Sequence, residues 1–322
     1  MIKNVKWSIF AIYLIPIFFV QSGLAKFEPW EQVTALWEQG LNPLEMVEHA
    51  HFYRFLIAYP GLKLKEYLSE IGFTYYILIF WMFNIALWRR ICIIVSGCGA
   101  RKINTLLFIV VHIAMNGRGA IAWSGWLLCV FVNLRVNRKP FNSLVDPLLL
   151  ALGLLLSAVT TGVFIVAFSV VLLFFVRQIF YEKTKMQLMM PGRLIVTLAY
   201  VLIIYHFASY FSVSIFKNIE FFGNGFDSVL NMMSHGAGTY LNKFTEAELS
   251  LLVTLIFLIV LVIILVRSRR ESPILIMVGL ASLGGIFGFT VLTLLIPLML
   301  IITPSMSFLG IARDGFSTVG KD

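Results

Sequence analysis

The stretch from Ile103 to Leu134, INTLLFIVVHIAMNGRGAIAWSGWLLCVFVNL, decides how the rest of the chain is read. Two apolar runs, Ile103 to Ala114 and Ala120 to Leu134, flank a polar break at Met115-Asn116-Gly117-Arg118-Gly119. Arg118 has no acidic residue near it in sequence and sits where a chain inside a bilayer must turn round. An ionisable side chain at membrane depth costs roughly 2.5 to 3.5 kcal/mol on insertion scales and is by default a candidate for function. The stretch therefore predicts a helical hairpin in a membrane with a functional cation at its turn.

Composition agrees with that reading. The 322 residues are 60% hydrophobic and 13% charged, where soluble domains carry about 25% charged residues. The net charge of +9 is spread in short clusters between apolar runs, as orientation signals are, and not gathered in one patch. Nucleic acid is thus excluded as a partner, and membrane lipids are expected. Cys92, Cys98 and Cys129 have neither metal-type spacing nor a paired framework. No Gly-rich phosphate loop, HExxH or GxSxG string occurs. Neither a cofactor nor a metal is expected.

Taken in order, the chain predicts a single all-α membrane domain over residues 1–322 with nine or ten spans, its N-terminus inside. Lys3 and Lys6 precede a first apolar run at 7–24, read as an uncleaved helix in preference to a signal peptide with Gly23 and Ala25 at the cleavage positions. Residues 25–71 form an outer, amphipathic stretch with breaks at Pro29, Pro43 and Pro60, expected as short helices on the membrane surface. Spans follow near 72–88, 103–115 and 119–134. The apolar run from Pro147 to Val176 would, as one helix, carry Arg177, Lys183, Lys185 and Arg193 outside, against the positive-inside rule. It is therefore divided at Thr160-Thr161-Gly162 into spans near 147–159 and 163–176. Spans near 194–215 and 249–266 enclose a second outer loop at 215–248. The last apolar run, 274–302, contains Gly284, Gly285 and Gly288 and is read as a broken pair in preference to one tilted helix.

Both hairpins leave only about 15 to 18 residues per arm, roughly 22 to 27 Å at 1.5 Å per residue, short of a hydrocarbon core of about 30 Å. The turns at Arg118 and at Thr160-Thr161-Gly162 should then lie below the outer surface. Irregular backbone is tolerated there only when buried in protein or lining a watery cavity. An outward-facing cleft is the expected consequence.

Each candidate residue has a plainer reading beside the functional one. Arg118 could snorkel to headgroup phosphates, or, with Gly117 and Gly119 beside it, grip an anionic ligand in a two-point fork. Trp123 and Trp126 suit an aromatic belt or a sugar face. In His49-Ala50-His51-Phe52-Tyr53-Arg54, the histidines are a poor metal pair because residues two apart diverge on a helix. If that segment folds over the cleft, Arg54 is a second phosphate contact, Tyr53 lines the site and His51 is a base. His235, in the second outer loop, is either polar surface or a base suited to neutral pH. His112 and His206 fall inside spans and read as packing or interhelical hydrogen-bonding residues, and Asp146 as a helix N-cap.

This layout resembles the Wzy and EpsG-like polymerases of bacterial surface polysaccharides, which join lipid-linked O-antigen, capsule or exopolysaccharide repeat units. The resemblance is carried by the aromatic and basic run HFYRFLIAYPG (51–61), the hairpin MNGRGAIAW (115–123) and the turn LLLSAVTTGVFIVAF (154–168). It implies a metal-free transfer at the outer face of the cytoplasmic membrane. The donor would be a glycan on undecaprenyl pyrophosphate, with Arg118 and Arg54 holding the pyrophosphate and His235 or His51 as base. Two alternatives stand beside it. Glu28 and Glu31 follow the first span, where membrane glycosyltransferases of the C superfamily keep a catalytic carboxylate, and a flippase or transporter of lipid-linked sugars would share the membrane architecture.

Overall fold

The computed structural model describes residues 7–47, 49, 51–96, 102–113, 117–138, 144–180 and 191–221. Among these the chain is all-helical. The elements are α1 (Trp7–Gln21), α2 (Glu31–Glu38), a 3-10 turn (Pro43–Met46), α3 (Phe52–Leu68), α4 (Glu70–Ser96), α5 (Lys102–Ile113), α6 (Gly117–Arg138), α7 (Val145–Ser157), α8 (Thr161–Phe180) and α9 (Pro191–Phe221). The segments Glu70–Ile94 and Leu194–Val213 are long and apolar enough to cross a membrane. The expected spans near 249–266 and 274–302, and the outer loop at 215–248 beyond Phe221, lie outside the described residues.

Helix α6 is the axis of the bundle. It packs on α4, α7 and α8, while α1 lies against α4 and α5, and α9 against α7 and α8. Every residue from Ala120 to Val130 is buried, so the helix has no solvent-facing or outward-facing stripe, as expected of a central core helix. Glycine makes this possible on the α7 side. A Cβ built on Gly125 would stand 2.3 Å from the Gly153 carbonyl oxygen and 2.4 Å from the Ser157 amide nitrogen. Backbones that approach so closely need small residues at the crossing. Ser124 and Ser157 turn their hydroxyls back onto the carbonyls of Ala120 (3.0 Å) and Gly153 (2.8 Å), so neither presents an unsatisfied group to the core.

Residues 25–69 pack into the bundle and do not merely rest on it. Val33 and Leu36 of α2 and Phe55, Ala58 and Leu62 of α3 share a buried cluster with Phe73, Ile77 and Trp81 of α4 and Ala120 and Ile121 of α6. Asn42 starts the 3-10 turn with a capping box: its side chain accepts from the Leu44 amide and Glu45 accepts from the Asn42 amide. Pro60, expected as a break, lies inside α3. Proline removes a helical donor there, and in the preceding turn the Ile57 carbonyl accepts from the Tyr76 hydroxyl of α4.

Two further expectations are corrected. The arms of the hairpins are unequal: α5 has 12 residues and α7 has 13, whereas α6 has 22 and α8 has 20. At 1.5 Å per residue α6 reaches about 33 Å and α7, bounded by described residues at both ends, only about 20 Å. Asp146 is not an N-cap. It sits inside the first turn of α7, buried, with its carboxylate 2.8 Å from Arg135 of α6. Leu144 occupies the cap position without a side-chain bond, and the aspartate ties the far ends of α6 and α7 together.

Candidate functional site

The site forms where the α6 N-terminus meets the turn between α7 and α8. Gly117 opens α6 pressed against α4, where a Cβ would lie 3.0 Å from Ile77, and this contact fixes the direction of the next residue. Arg118 reaches across to donate from Nε to the Val159 carbonyl at 3.1 Å. That carbonyl is free to accept because residues 158–160 leave the helix: the amides of Ala158, Val159 and Thr160 bond back to Leu154, Leu155, Leu156 and Ser157, and α8 starts afresh at Thr161.

Arg54, in the first turn of α3, reaches the same turn from the other side. Its Nη2 donates to the Thr161 hydroxyl at 2.8 Å and its Nη1 to Gln32 Oε1 of α2 at 2.9 Å. A longer contact, 3.4 Å, joins Nη1 to Nδ1 of His51. Two guanidinium groups thus clasp residues two apart in one turn, close enough to repel each other electrostatically. Burial pushes the Arg54 guanidinium below its ordinary pKa.

What is missing is a carboxylate. The ion pairs among the described residues join Lys26 to Glu28, Lys63 to Glu66, Lys65 to Glu70 and Arg135 to Asp146, and none reaches Arg54 or Arg118. In addition, Nε of Arg54 and the hydroxyl of Thr160 are buried with no hydrogen-bond partner. A half-buried pair of like charges with unused donors is unfavourable unless something anionic completes it. Among the described residues no group of His, Cys, Asp or Glu side chains comes together to hold a metal ion, and those gathered at this turn offer guanidinium, imidazole, hydroxyl and phenol groups.

An aromatic wall adjoins the pair. Tyr53 hydrogen-bonds through its hydroxyl to Nε2 of His206 on α9 at 2.6 Å, and its ring meets the edge of Tyr210 at 4.8 Å. Tyr210 lies in electrostatic reach of both arginines and packs edge-on against Phe164 of α8 at 4.9 Å. Burial and Tyr210 together raise the Tyr53 phenol above its ordinary pKa.

The structure therefore gathers Arg118, Arg54, His51 and Tyr53 at one end of the bundle. His235 lies outside the described residues. Trp123 and Trp126 are a correction: both are fully buried, packed edge to face at 5.0 Å within the main core cluster. They form neither an aromatic belt nor a sugar-binding surface, because α6 is enclosed by its neighbours from Ala120 to Val130. Sequence reasoning used Thr161 only as a helix breaker and missed Gln32 and Tyr210; an uncharged partner for an arginine leaves no charge pattern to find. His206, expected as a packing or interhelical hydrogen-bonding residue, makes such a bond with Tyr53. The buried His112 does the same, accepting at Nε2 from Asn84 of α4 at 2.5 Å. Glu28 faces Lys26 on the surface and Glu31 is exposed in the first turn of α2. Compared with protein-family models, curated proteins and solved structures, the chain gives no match.

Proposed function

We propose that this chain is a multi-pass protein of the bacterial cytoplasmic membrane that polymerises lipid-linked oligosaccharide repeat units at the outer face. The membrane part of the reading is supported by the composition, by the two helices long enough to cross, and by the outward faces of the helices. On α9, Leu194, Ile195, Leu198, Val201 and Leu202 are all more than two-fifths exposed, an apolar stripe at helical spacing that suits lipid.

The observation that carries the activity is the Arg54–Arg118 pair on one turn, with no carboxylate beside it among the described residues. A pyrophosphate offers two adjacent anionic groups and suits two guanidinium forks. In the transfer, a hydroxyl of the acceptor unit attacks the anomeric carbon of the donor glycan. A new carbon–oxygen bond forms there as the bond to the pyrophosphate oxygen breaks, and negative charge grows on the leaving group. Donors held in place for that charge are usually the largest catalytic contribution. A C-superfamily glycosyltransferase reading would need Glu28 or Glu31 in the site, and Glu28 is already paired with Lys26.

The test is glycan chain length in the source cell with the native copy replaced. Arg118→Ala and Arg118→Lys should both leave single repeat units with the protein present at normal level, because a lysine supplies one point charge and not a fork. Loss of a charge-assisted contact of this kind corresponds to about 30- to 1,000-fold in rate. Long polymer from the alanine variant would overturn the site, and polymer from lysine alone would reduce Arg118 to a point charge.

A further inference from the structure

Three features remain unused by the arginine pair: the Tyr53–His206 hydrogen bond, the buried Asn84–His112 bond, and the Arg135–Asp146 ion pair. The last two join helix to helix within the bundle. The first is different, because it links α3 to α9 beside the anion site and both of its groups can carry a proton.

We infer that Tyr53 and His206 form the proton-accepting dyad of the site, with Tyr53 touching the acceptor hydroxyl and His206 taking the proton through it. This inference rests on the polymerase reading. The geometry behind it is direct. The Tyr53 hydroxyl is 2.6 Å from Nε2 of His206, in the range for efficient proton transfer. Tyr53 is the chain neighbour of Arg54, and its ring contacts Tyr210, which lies in reach of both Arg54 and Arg118. Tyr53 is half-buried and His206 exposed among the described residues, so the pair is open to a ligand from one side. His51 is engaged elsewhere: Nδ1 of its ring faces the Arg54 guanidinium at 3.4 Å.

The proton balance closes without a further reactant. The acceptor hydroxyl gives its proton to the Tyr53 oxygen while Tyr53 passes its own to Nε2 of His206. The acceptor oxygen bonds to the anomeric carbon, the pyrophosphate leaves with the electron pair of the broken bond, and the charge change is one imidazolium against one pyrophosphate anion held by the arginines. The titratable group that meets His206 among the described residues is Tyr53 on α3; Tyr210, one turn further along α9, lies in electrostatic reach of Arg54 and Arg118. Helix α8 contributes Phe164 beside Tyr210, and Asp146 of α7 lies toward Tyr200, engaged with Arg135.

The experiment follows elongation over a pH series in membranes of the source cell, using its own lipid-linked units, for Tyr53→Phe, His206→Gln, the double variant and Arg118→Ala. Tyr53→Phe removes one oxygen and keeps the ring against Tyr210. Each single variant should slow elongation on the order of 100-fold, as loss of a general base does, with the double variant no slower than either. The acid limb of the wild-type rate profile should vanish in His206→Gln. Wild-type rates or a retained acid limb in both variants would overturn the dyad. So would a fall in the amount of Tyr53→Phe protein, which would make the hydroxyl a structural tie. If Arg118→Ala stalls while the dyad variants elongate normally, only this inference fails; if Arg118→Ala also elongates normally, the arginine site on which the polymerase reading rests has failed.

Discussion

Replacing Gly125 with alanine tests whether the site depends on the crossing of α6 and α7, well away from the arginines. The new Cβ would stand 2.3 Å from the Gly153 oxygen, 2.4 Å from the Ser157 nitrogen and 2.5 Å from the Ser157 hydroxyl. Carbon contacts are comfortable from about 3.5 Å, so α7 must withdraw by about 1 Å, and two of the three atoms are helix backbone that cannot rotate aside. Overpacking of this kind costs about 1–3 kcal/mol, offset by about 1 kcal/mol from the better helix propensity of alanine. A net destabilisation of up to about 2 kcal/mol is expected, measured as a lower thermal midpoint in detergent. The larger effect falls on the site. Arg118 holds the Val159 carbonyl at 3.1 Å, and a withdrawal of about 1 Å by α7 takes that bond beyond hydrogen-bonding range. Misplacement on this scale can cost on the order of 100-fold in rate, read as shortened glycan at normal protein level. Gly40→Ala is the control: nothing lies within 4 Å of its Cβ, and its φ of +70° confines the cost to local backbone strain, about 1–2 kcal/mol. Full-length polymer and an unchanged midpoint for Gly125→Ala would refute the close crossing and the coupling drawn from it.

Other outcomes follow from the same packing. Asn84→Leu removes the donor to the buried His112 ring and to the Ala120 carbonyl; stability should fall by about 1–3 kcal/mol and recover when His112→Leu is added, as a double-mutant cycle in detergent would read. Arg135→Met leaves the Asp146 carboxylate buried without its partner. Because Arg135 is itself partly exposed, the loss should be about 1–3 kcal/mol, below that of a fully buried pair, with Asp146→Asn in the same chain restoring most of it. A cysteine introduced at Lys183 should react with impermeant reagents only from the cytoplasmic side, and reaction from outside would reverse the proposed topology.

How much was legible follows from which residues advertise their surroundings. Arg118 did, because a lone cation between two apolar runs has few innocent explanations, and Arg54 did through the basic and aromatic run around it. That the two meet was only a conditional expectation, since it depends on a carbonyl, Val159, and a hydroxyl, Thr161, whose roles come from backbone geometry at residues 158–160. Side-chain type carries no trace of such a role. The same limit explains the tryptophans. Trp123 and Trp126 sit at helical spacing next to a polar turn, a pattern shared by interface anchors and core residues. The deciding fact is that α6 is covered by α4, α7 and α8, and the signal for that lay in the small residues Gly125 and Gly153, which permit the close approach, more than in the aromatics themselves. Small residues at a crossing are silent in any reading based on hydrophobicity alone. Read together with the break after Ser157, they place the α7–α8 turn against the start of α6. From there the arginines have a shared target, and the absence of a carboxylate among their described neighbours becomes the feature that asks for an anion.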